Sequence, residues 1–279
     1  GGLLGISARP QPGFLAYAEL AQPIAESRQQ LLAIAAQRFY EGHATGRKGL
    51  DLAGFEAFRA RNDYWLDDFC LFCAIREVQE SPGWLQWPEH LRDREPAALQ
   101  AFVDQNQARL ARIRFEQFLF NHQWQALRDY ARSRNVLLFG DIPIFVAQDS
   151  ADVWANRQFF KLDARGEPTV IAGVPPDYFS EEGQHWGNPL YNWQVMAEDG
   201  YQWWLQRLES QRHLFDLIRI DHFRGLQAYW EIPAEAPQPR NGYWVPGPSD
   251  PYHPACLARF PALPLLAENL GHHTAAWET

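Results

Sequence analysis

The sequence predicts an α/β fold built on a parallel sheet. Three apolar runs each end in an acid: Val136-Leu137-Leu138-Phe139-Gly140-Asp141, Leu217-Ile218-Arg219-Ile220-Asp221 and Leu263-Pro264-Leu265-Leu266-Ala267-Glu268. Short apolar runs without polar alternation read as strands buried on both faces, the kind found in parallel sheets covered by helices. A long helical stretch ends just before the first run, giving the helix-then-strand order of a barrel or a doubly wound sheet. With 279 residues, 46 % of them hydrophobic, the chain is long enough to bury a sizeable core. Sites in parallel α/β folds form at the carboxyl ends of strands, so the three acids are expected to make one polar constellation.

The elements follow in order. Residues 1–134 read as mainly helical, beginning with an Ala/Leu/Gln-rich stretch at 14–40 that Pro23 interrupts. The loop from Gly42 to Gly49 misses the G-x-x-x-x-G-K spacing of a phosphate loop and follows no strand. A second helical region covers 51–79, where Cys70 and Cys73 share a face. Without a second Cys pair, core packing is favoured over zinc. Residues 104–134 give the clearest helix, with Leu110, Ile113, Phe120, Trp124, Leu127 and Ala131 forming a stripe expected to pack on the sheet.

Residues 135–279 carry the strands. The interval from Asp141 to Asp221 is too long for a helix and a tight turn. Pro, Gly, Asn and aromatic residues are dense in Val174-Pro175-Pro176-Asp177-Tyr178-Phe179-Ser180 and Trp186-Gly187-Asn188-Pro189-Leu190-Tyr191, which predicts a long structured loop at about 172–193. Residues 201–213 then form the crossover helix, with Trp203, Trp204, Leu205 and Leu208 toward the sheet.

Composition narrows the function. Lys and Arg number 25 against 34 Asp and Glu, a net charge of −9, and no basic stripe suits a nucleic acid. No apolar window is long enough to span a membrane and no signal peptide opens the chain, so a soluble protein is expected. Three cysteines fit a reducing, cytoplasmic compartment better than a disulfide framework. The only methionine is Met196, which suggests a fragment whose natural start lies upstream. The chain holds 12 Trp, 18 Phe and 10 Tyr, and Trp84, Trp87, Trp186 and Trp244 lie beside Gly, Pro or Asn in apparent loops. Core packing accounts for many of these rings, but loop placement also suits the flat apolar face of a sugar ring.

Alternation puts Leu217, Arg219 and Asp221 on one face of their strand and Ile218 and Ile220 on the other. An interior Arg beside an Asp is expected to hold the carboxylate ionised and oriented, as a nucleophile requires. A purely structural ion pair is the competing reading. Glu268 follows an apolar run with no adjacent cation, an environment that raises a carboxyl pKa toward a general acid's. Two carboxylates in unlike settings suit glycosyl transfer. Asp141, next to Gly140 and Ile142-Pro143, reads as a loop brace or helix cap at least as readily as a substrate contact. His222 stands just past the strand end, where a sugar hydroxyl needs a partner, and a satisfied structural His is the default alternative.

Five motifs in order, Gly140-Asp141-Ile142-Pro143-Ile144-Phe145-Val146-Ala147, the two loop segments above, Arg219-Ile220-Asp221-His222-Phe223-Arg224-Gly225 and Ala267-Glu268-Asn269-Leu270-Gly271, resemble the amylomaltase (4-α-glucanotransferase) family of the α-amylase superfamily. The match is dense in the second half and loose in the first, and Asn269 stands where the family often has Asp. The resemblance implies a (β/α)8 TIM barrel, incomplete in this chain, with strands three to five in residues 135–279 and a helical insertion in residues 1–134. It implies Asp221 as nucleophile and Glu268 as acid/base, with Arg219, His222, Asp177, Phe179, Gln184, Trp186 and Asp141 in contact with substrate. The implied partners are maltooligosaccharides and α-1,4-glucans, with no cofactor, metal, nucleic acid or membrane. The family's early strands and the later strand bearing its third carboxylate have no counterpart here, so the segment alone is expected to be inactive. An α-1,4-glucan hydrolase remains an alternative, since water and a sugar hydroxyl attack the same intermediate. An enolase-like metal enzyme also sets acids at successive strand ends, although Arg219 among the acids disfavours a cation. A non-catalytic glucan binder would use the aromatics alone.

Overall fold

A computed structural model of the chain describes residues 17–44, 51–80, 83–178, 180–262 and 264–268. They group into two compact units, Gly1–Val78 with Pro96–Gln123 and Gln79–Glu95 with Trp124–Thr279. None of the described helices is long and apolar enough to cross a membrane.

The first unit is helical: α1 (Tyr17–Ala44), α2 (Leu52–Arg61), α3 (Leu66–Gln79, to Val78), α5 (Pro96–Gln105) and the beginning of α6 (Gln107–Ser133), the short α4 (Glu89–Arg92) lying in the second unit. Helix α1 passes through Pro23 without a break, unlike the interrupted helix the sequence suggests. Asp51 caps α2 by accepting the Gly54 N–H at 2.8 Å. The core is aromatic, with the Phe39 ring 5.1 Å from Phe55 and 5.0 Å from Phe115, and Phe55 5.3 Å from Phe118. Cys70 is buried in this unit, and burial pushes its thiol up to about 12, the state of an inert packing residue.

The second unit holds strands β1 (Phe139–Pro143), β2 (Val170–Val174), β3 (Gln184–Pro189), β4 (Leu217–Asp221), β5 (Ala228–Pro233), β6 (Tyr243–Pro246) and β7 (Leu265–Ala267), and helices α7 (Ala151–Ala155), α8 (Trp193–Glu198), α9 (Gln202–Leu214) and α10 (Ser249–Arg259). Strands β1, β4 and β7 form a parallel sheet in the order β1-β4-β7. Its register sets Asp141 opposite Arg219, Pro143 opposite Asp221 and Ile220 opposite Ala267. Asp221 ends its strand and Glu268 follows its own, whereas β1 continues two residues beyond Asp141.

This sheet is not buried on both faces. Ile142, Ile218 and Ile220 are covered, and Trp204, Leu205 and Leu208 of α9 are buried. The opposite face carries Asp141, Arg219 and Asp221, and Phe139 remains 54 % exposed and Leu266 48 %. Gly140 is required on the covered side, because a Cβ there would lie 2.3 Å from the Phe215 ring.

The predicted loop at 172–193 holds the end of one strand and the whole of another. Strands β2 and β3 pair antiparallel across its turn and join β5 and β6 in the order β3-β2-β5-β6. Gln184-His185-Trp186-Gly187-Asn188-Pro189 lacks alternation and contains Gly and Pro, so backbone pairing rather than pattern makes it a strand. Buried Glu231 of β5 pairs with Lys161 and accepts the Tyr243 hydroxyl at 2.8 Å, tying β6 into the sheet. Of the four loop tryptophans, Trp84 and Trp87 are core residues at 0 % and 3 % exposure.

The end of α6 also departs from its stripe. Phe120 and Leu127 are 53 % and 50 % exposed, and Arg128 is buried. The last carbonyls of α9 lack helical acceptors' partners, and donors from α6 supply them. Trp124 Nε1 donates to Leu214 O at 2.8 Å, and Arg128 donates to His213 O at 2.7 Å, Phe215 O at 2.5 Å and Asp216 Oδ1 at 3.0 Å. Asp216 in turn accepts the Leu138 N–H at 2.9 Å, anchoring the chain entering β1.

Burial alone would raise the Asp216 pKa, but the Leu138 N–H and the Arg128 and Arg132 guanidinia prevail and hold it below the usual range. Its contribution to stability is therefore complete above about pH 4 and lost as pH falls through the lowered folded value. Arg128→Met is expected to destabilise the second unit by about 3 kcal/mol by orphaning these carbonyls, and Asp216→Asn to flatten the acid limb of the stability profile. Urea unfolding at several pH values measures both.

Candidate active site

The polar face of the parallel sheet converges on Arg219. Its Nε and Nη2 donate to the two carboxylate oxygens of Asp141 at 2.9 and 2.6 Å, a bidentate pair. Nη2 also reaches Asp221 Oδ1 at 2.9 Å, and Nη1 lies 3.8 Å from Glu268 Oε1. Glu268 Oε2 accepts the backbone N–H of His222 at 2.6 Å. Asp141 within β1, Asp221 at the end of β4 and Glu268 just past β7 thus surround one guanidinium.

This geometry corrects three expectations. Asp141 is not a loop brace or helix cap: the β1/β4 register aims it at Arg219. Glu268 is not uncompensated, because β7 ends beside β4 and brings it to Arg219 and to the His222 N–H. Asp221 is not simply held ionised by its neighbour. Burial and the Glu268 charge push its pKa up, and Arg219, already engaged by Asp141, only partly offsets them.

His222 occupies the left-handed region at φ 52°, and its N–H turns to Glu268 there. Its Nε2 is buried with no hydrogen-bond partner. Burial foremost, then Arg224, against Asp221, lowers the imidazole pKa to about 4, so the ring is neutral at pH 7. Trp186 from β3 meets this ring edge-to-face at 4.9 Å and leans on Phe145 at 6.5 Å. Phe145 also packs on Tyr191 at 5.6 Å and Tyr229 at 6.4 Å, making it the support beneath Trp186. Sequence reasoning missed that role. Its signal was the apolar tail of the Gly140–Ala147 motif.

The other loop residues serve local structure in the contacts described. Asp177 Oδ1 accepts the Ser180 N–H at 2.8 Å and Gln184 Oε1 accepts the Trp186 indole N–H at 3.0 Å, which orients the ring. Phe179 and Asn269 lie outside the described residues. Among the described residues no cluster of three or more His, Cys, Asp or Glu is arranged to hold a metal ion.

Paired acids, Asp221 at the end of β4 and Glu268 just past β7, thus stand beside the indole of Trp186 in an α/β unit. The chain belongs to the Glyco_hydro_77 (4-alpha-glucanotransferase) family, whose model matches residues 17–278. It is 48 % identical over 217 residues to the 4-alpha-glucanotransferase of Thermus thermophilus, covering 78 % of this chain and 43 % of that protein. With the 4-alpha-glucanotransferase of Synechocystis it shares 39 % identity over 280 residues, 96 % of this chain and 55 % of the relative. The structure is similar to the amylomaltase from Streptococcus agalactiae in complex with acarbose, with a TM-score of 0.84 at 33 % identity over 98 % of this chain and 53 % of that one. The chain spans about half the length of the curated relatives it matches. The fold is therefore α/β, with the parallel strands part of a TIM barrel that this chain holds incompletely.

The site predicts an imidazole that does not titrate near neutrality. NMR of ring-labelled histidine is expected to show His222 unprotonated from pH 8 to 5, titrating near pH 4. Because the folded value lies below the unfolded one of about 6.5, stability declines as pH falls from about 6.5 to 4, and His222→Gln reduces that slope.

Proposed function

We propose that this chain, within its full-length protein, transfers α-1,4-glucan segments between maltooligosaccharides by retaining double displacement. The convergence of Asp141, Asp221 and Glu268, from three adjacent strands, on Arg219 carries this reading. Family membership supports it. Asp221 attacks the anomeric carbon and Glu268 gives its proton to the leaving glycosidic oxygen, forming a glycosyl ester. Glu268 then takes the proton of an acceptor hydroxyl, which attacks the anomeric carbon and releases Asp221. Such a pair works with carboxyl groups about 5 to 5.5 Å apart.

Arg219 positions Asp221 and spreads the charge of the cluster, with Asp141 fixing the guanidinium. The unpartnered, neutral His222 Nε2 is available to a sugar hydroxyl, and Trp186 offers a flat face to a sugar ring. Asp177, Phe179 and Gln184 complete the glucan-facing loop, and the helical residues 1–134 form an insertion on a barrel whose strands three to five are β1, β4 and β7. Cytoplasmic placement belongs to the same proposal, supported by the free cysteines Cys70, Cys73 and Cys256.

Incubated with maltotriose, the full-length protein is expected to produce glucose and longer maltodextrins. Asp221→Asn should cut the rate by at least about a thousandfold with thermal stability retained. Unchanged turnover in that variant would leave only a glucan-binding role. Trp186→Ala is expected to raise glucose release relative to transfer by opening the glycosyl-enzyme to water, which chromatography of the products measures.

A further inference from the structure

Strand β3 carries Trp186 to the site, yet as an edge of the antiparallel sheet it is paired along one side only, to β2. That pairing is irregular: its register shifts between Ile171 and Gly173, and Gly187 of β3 lies at φ 78°. A Cβ at Gly187 would meet nothing within 4 Å, so backbone conformation and not space calls for glycine there. Such a kink re-aims the side chains beside it. On either side of Gly187, Trp186 and Asn188 reach adjacent residues of the segment that follows β1. The Trp186 ring lies 6.5 Å from that of Phe145, and Asn188 Nδ2 donates to Val146 O at 2.9 Å.

The segment they meet is itself fixed. Arg207 of α9 donates to Pro143 O at 2.6 Å and to Ile144 O at 3.0 Å, and the Tyr191 hydroxyl donates to Ile144 O at 2.7 Å. Pro143 stands opposite Asp221 in the β1/β4 register. Asn188 is therefore a tether from an edge strand to a base continuous with the acid cluster. Gln184 orients the indole within its own strand, whereas Asn188 fixes where that strand stands against the segment after β1. Trp186 in turn meets His222, which follows Asp221 and gives its N–H to Glu268.

Position matters because the chemistry of the second step does not choose between acceptors. Whether a sugar hydroxyl or water attacks, its oxygen bonds to the anomeric carbon, the ester C–O bond breaks with its electron pair left on Asp221, and the proton passes to Glu268. The ratio of transfer to hydrolysis then depends on which oxygen occupies the attacking place. A displacement of about 1 Å in a group that orders or shields that place is enough to change it. Resting on the glucan-transfer reading and the part it gives Trp186, we propose that Asn188 is a positioning residue. By tying β3 to Val146 it holds Trp186 beside His222, and so sets the share of glycosyl-enzyme passed to a sugar rather than to water.

The test uses the full-length protein on maltotriose. Each hydrolysis adds one reducing end and each transfer adds none, so new reducing ends against longer maltodextrins give the partition. Asn188→Asp keeps the shape but cannot donate to Val146 O, and Asn188→Ser is neutral and too short to reach it. Both are expected to raise hydrolysis relative to transfer roughly three- to tenfold, the range that one neutral hydrogen bond supports. The double variant Trp186→Ala/Asn188→Asp should partition as Trp186→Ala does, because both changes act through the same ring. A loss of stability alone would lower both products by one factor and leave the partition as in wild type, which would overturn the proposal. So would a shift in Asn188→Asp that Asn188→Ser lacks, additive effects in the double variant, or a Trp186→Ala variant with the wild-type partition. Failure of the wild type to form longer maltodextrins would instead reject the glucan-transfer reading, and this role with it.

Discussion

The Arg219 guanidinium is the interaction on which the arrangement of the second unit depends. Three carboxylates from neighbouring strands would repel one another if they shared a face without a cation. One planar fork satisfies two of them by hydrogen bonds and approaches the third. The register is therefore specified twice. On the covered face Ile142, Ile218 and Ile220 must meet α9, and on the open face Asp141 must meet Arg219. A slip of one residue would turn isoleucines to the open side and bury the charges, so hydrophobic and ionic demands select the same pairing.

The antiparallel sheet has a different task. It brings residues distant in sequence to the rim of the acid cluster and holds them there without using its own polar groups for chemistry. Trp186 arrives on β3, propped by Phe145 and oriented by Gln184. The Lys161–Glu231 pair and the Tyr243 hydroxyl stiffen this sheet from within. Aromatic rings presented on paired backbone lose less freedom on binding a ligand than rings on an irregular loop.

Strands and acids were legible where a local pattern carried them. Residues 217–221 alternate as their sequence indicates, because every second residue faces a covering helix. Residues 136–138 misled, since an apolar run does not reveal that one side of a sheet stays open and that the strand begins only at Phe139. Strand β3 was hidden because its pairing depends on the backbone of β2, and Gly187 and Pro189 erase its signature. The stripe on α6 failed after Phe118 because the carbonyls ending α9 require a donor more than an apolar contact, and Arg128 supplies it.

The site shows the same division between local and non-local information. That Arg219 and Asp221 share a face follows from a period of two. That Asp141 takes the stronger, bidentate half of the guanidinium follows only from the β1/β4 register, which no short segment encodes. This assignment changes the electrostatics, because a guanidinium committed to Asp141 has less to offer Asp221. Burial and Glu268 then raise the Asp221 pKa instead of the neighbour lowering it. A carboxylate destabilised in this way holds its charge less firmly. In the proposed reaction, forming an ester with an electrophilic carbon relieves its desolvation. Asp141 thus influences the proposed nucleophile by deciding how much of the one cation Asp221 receives.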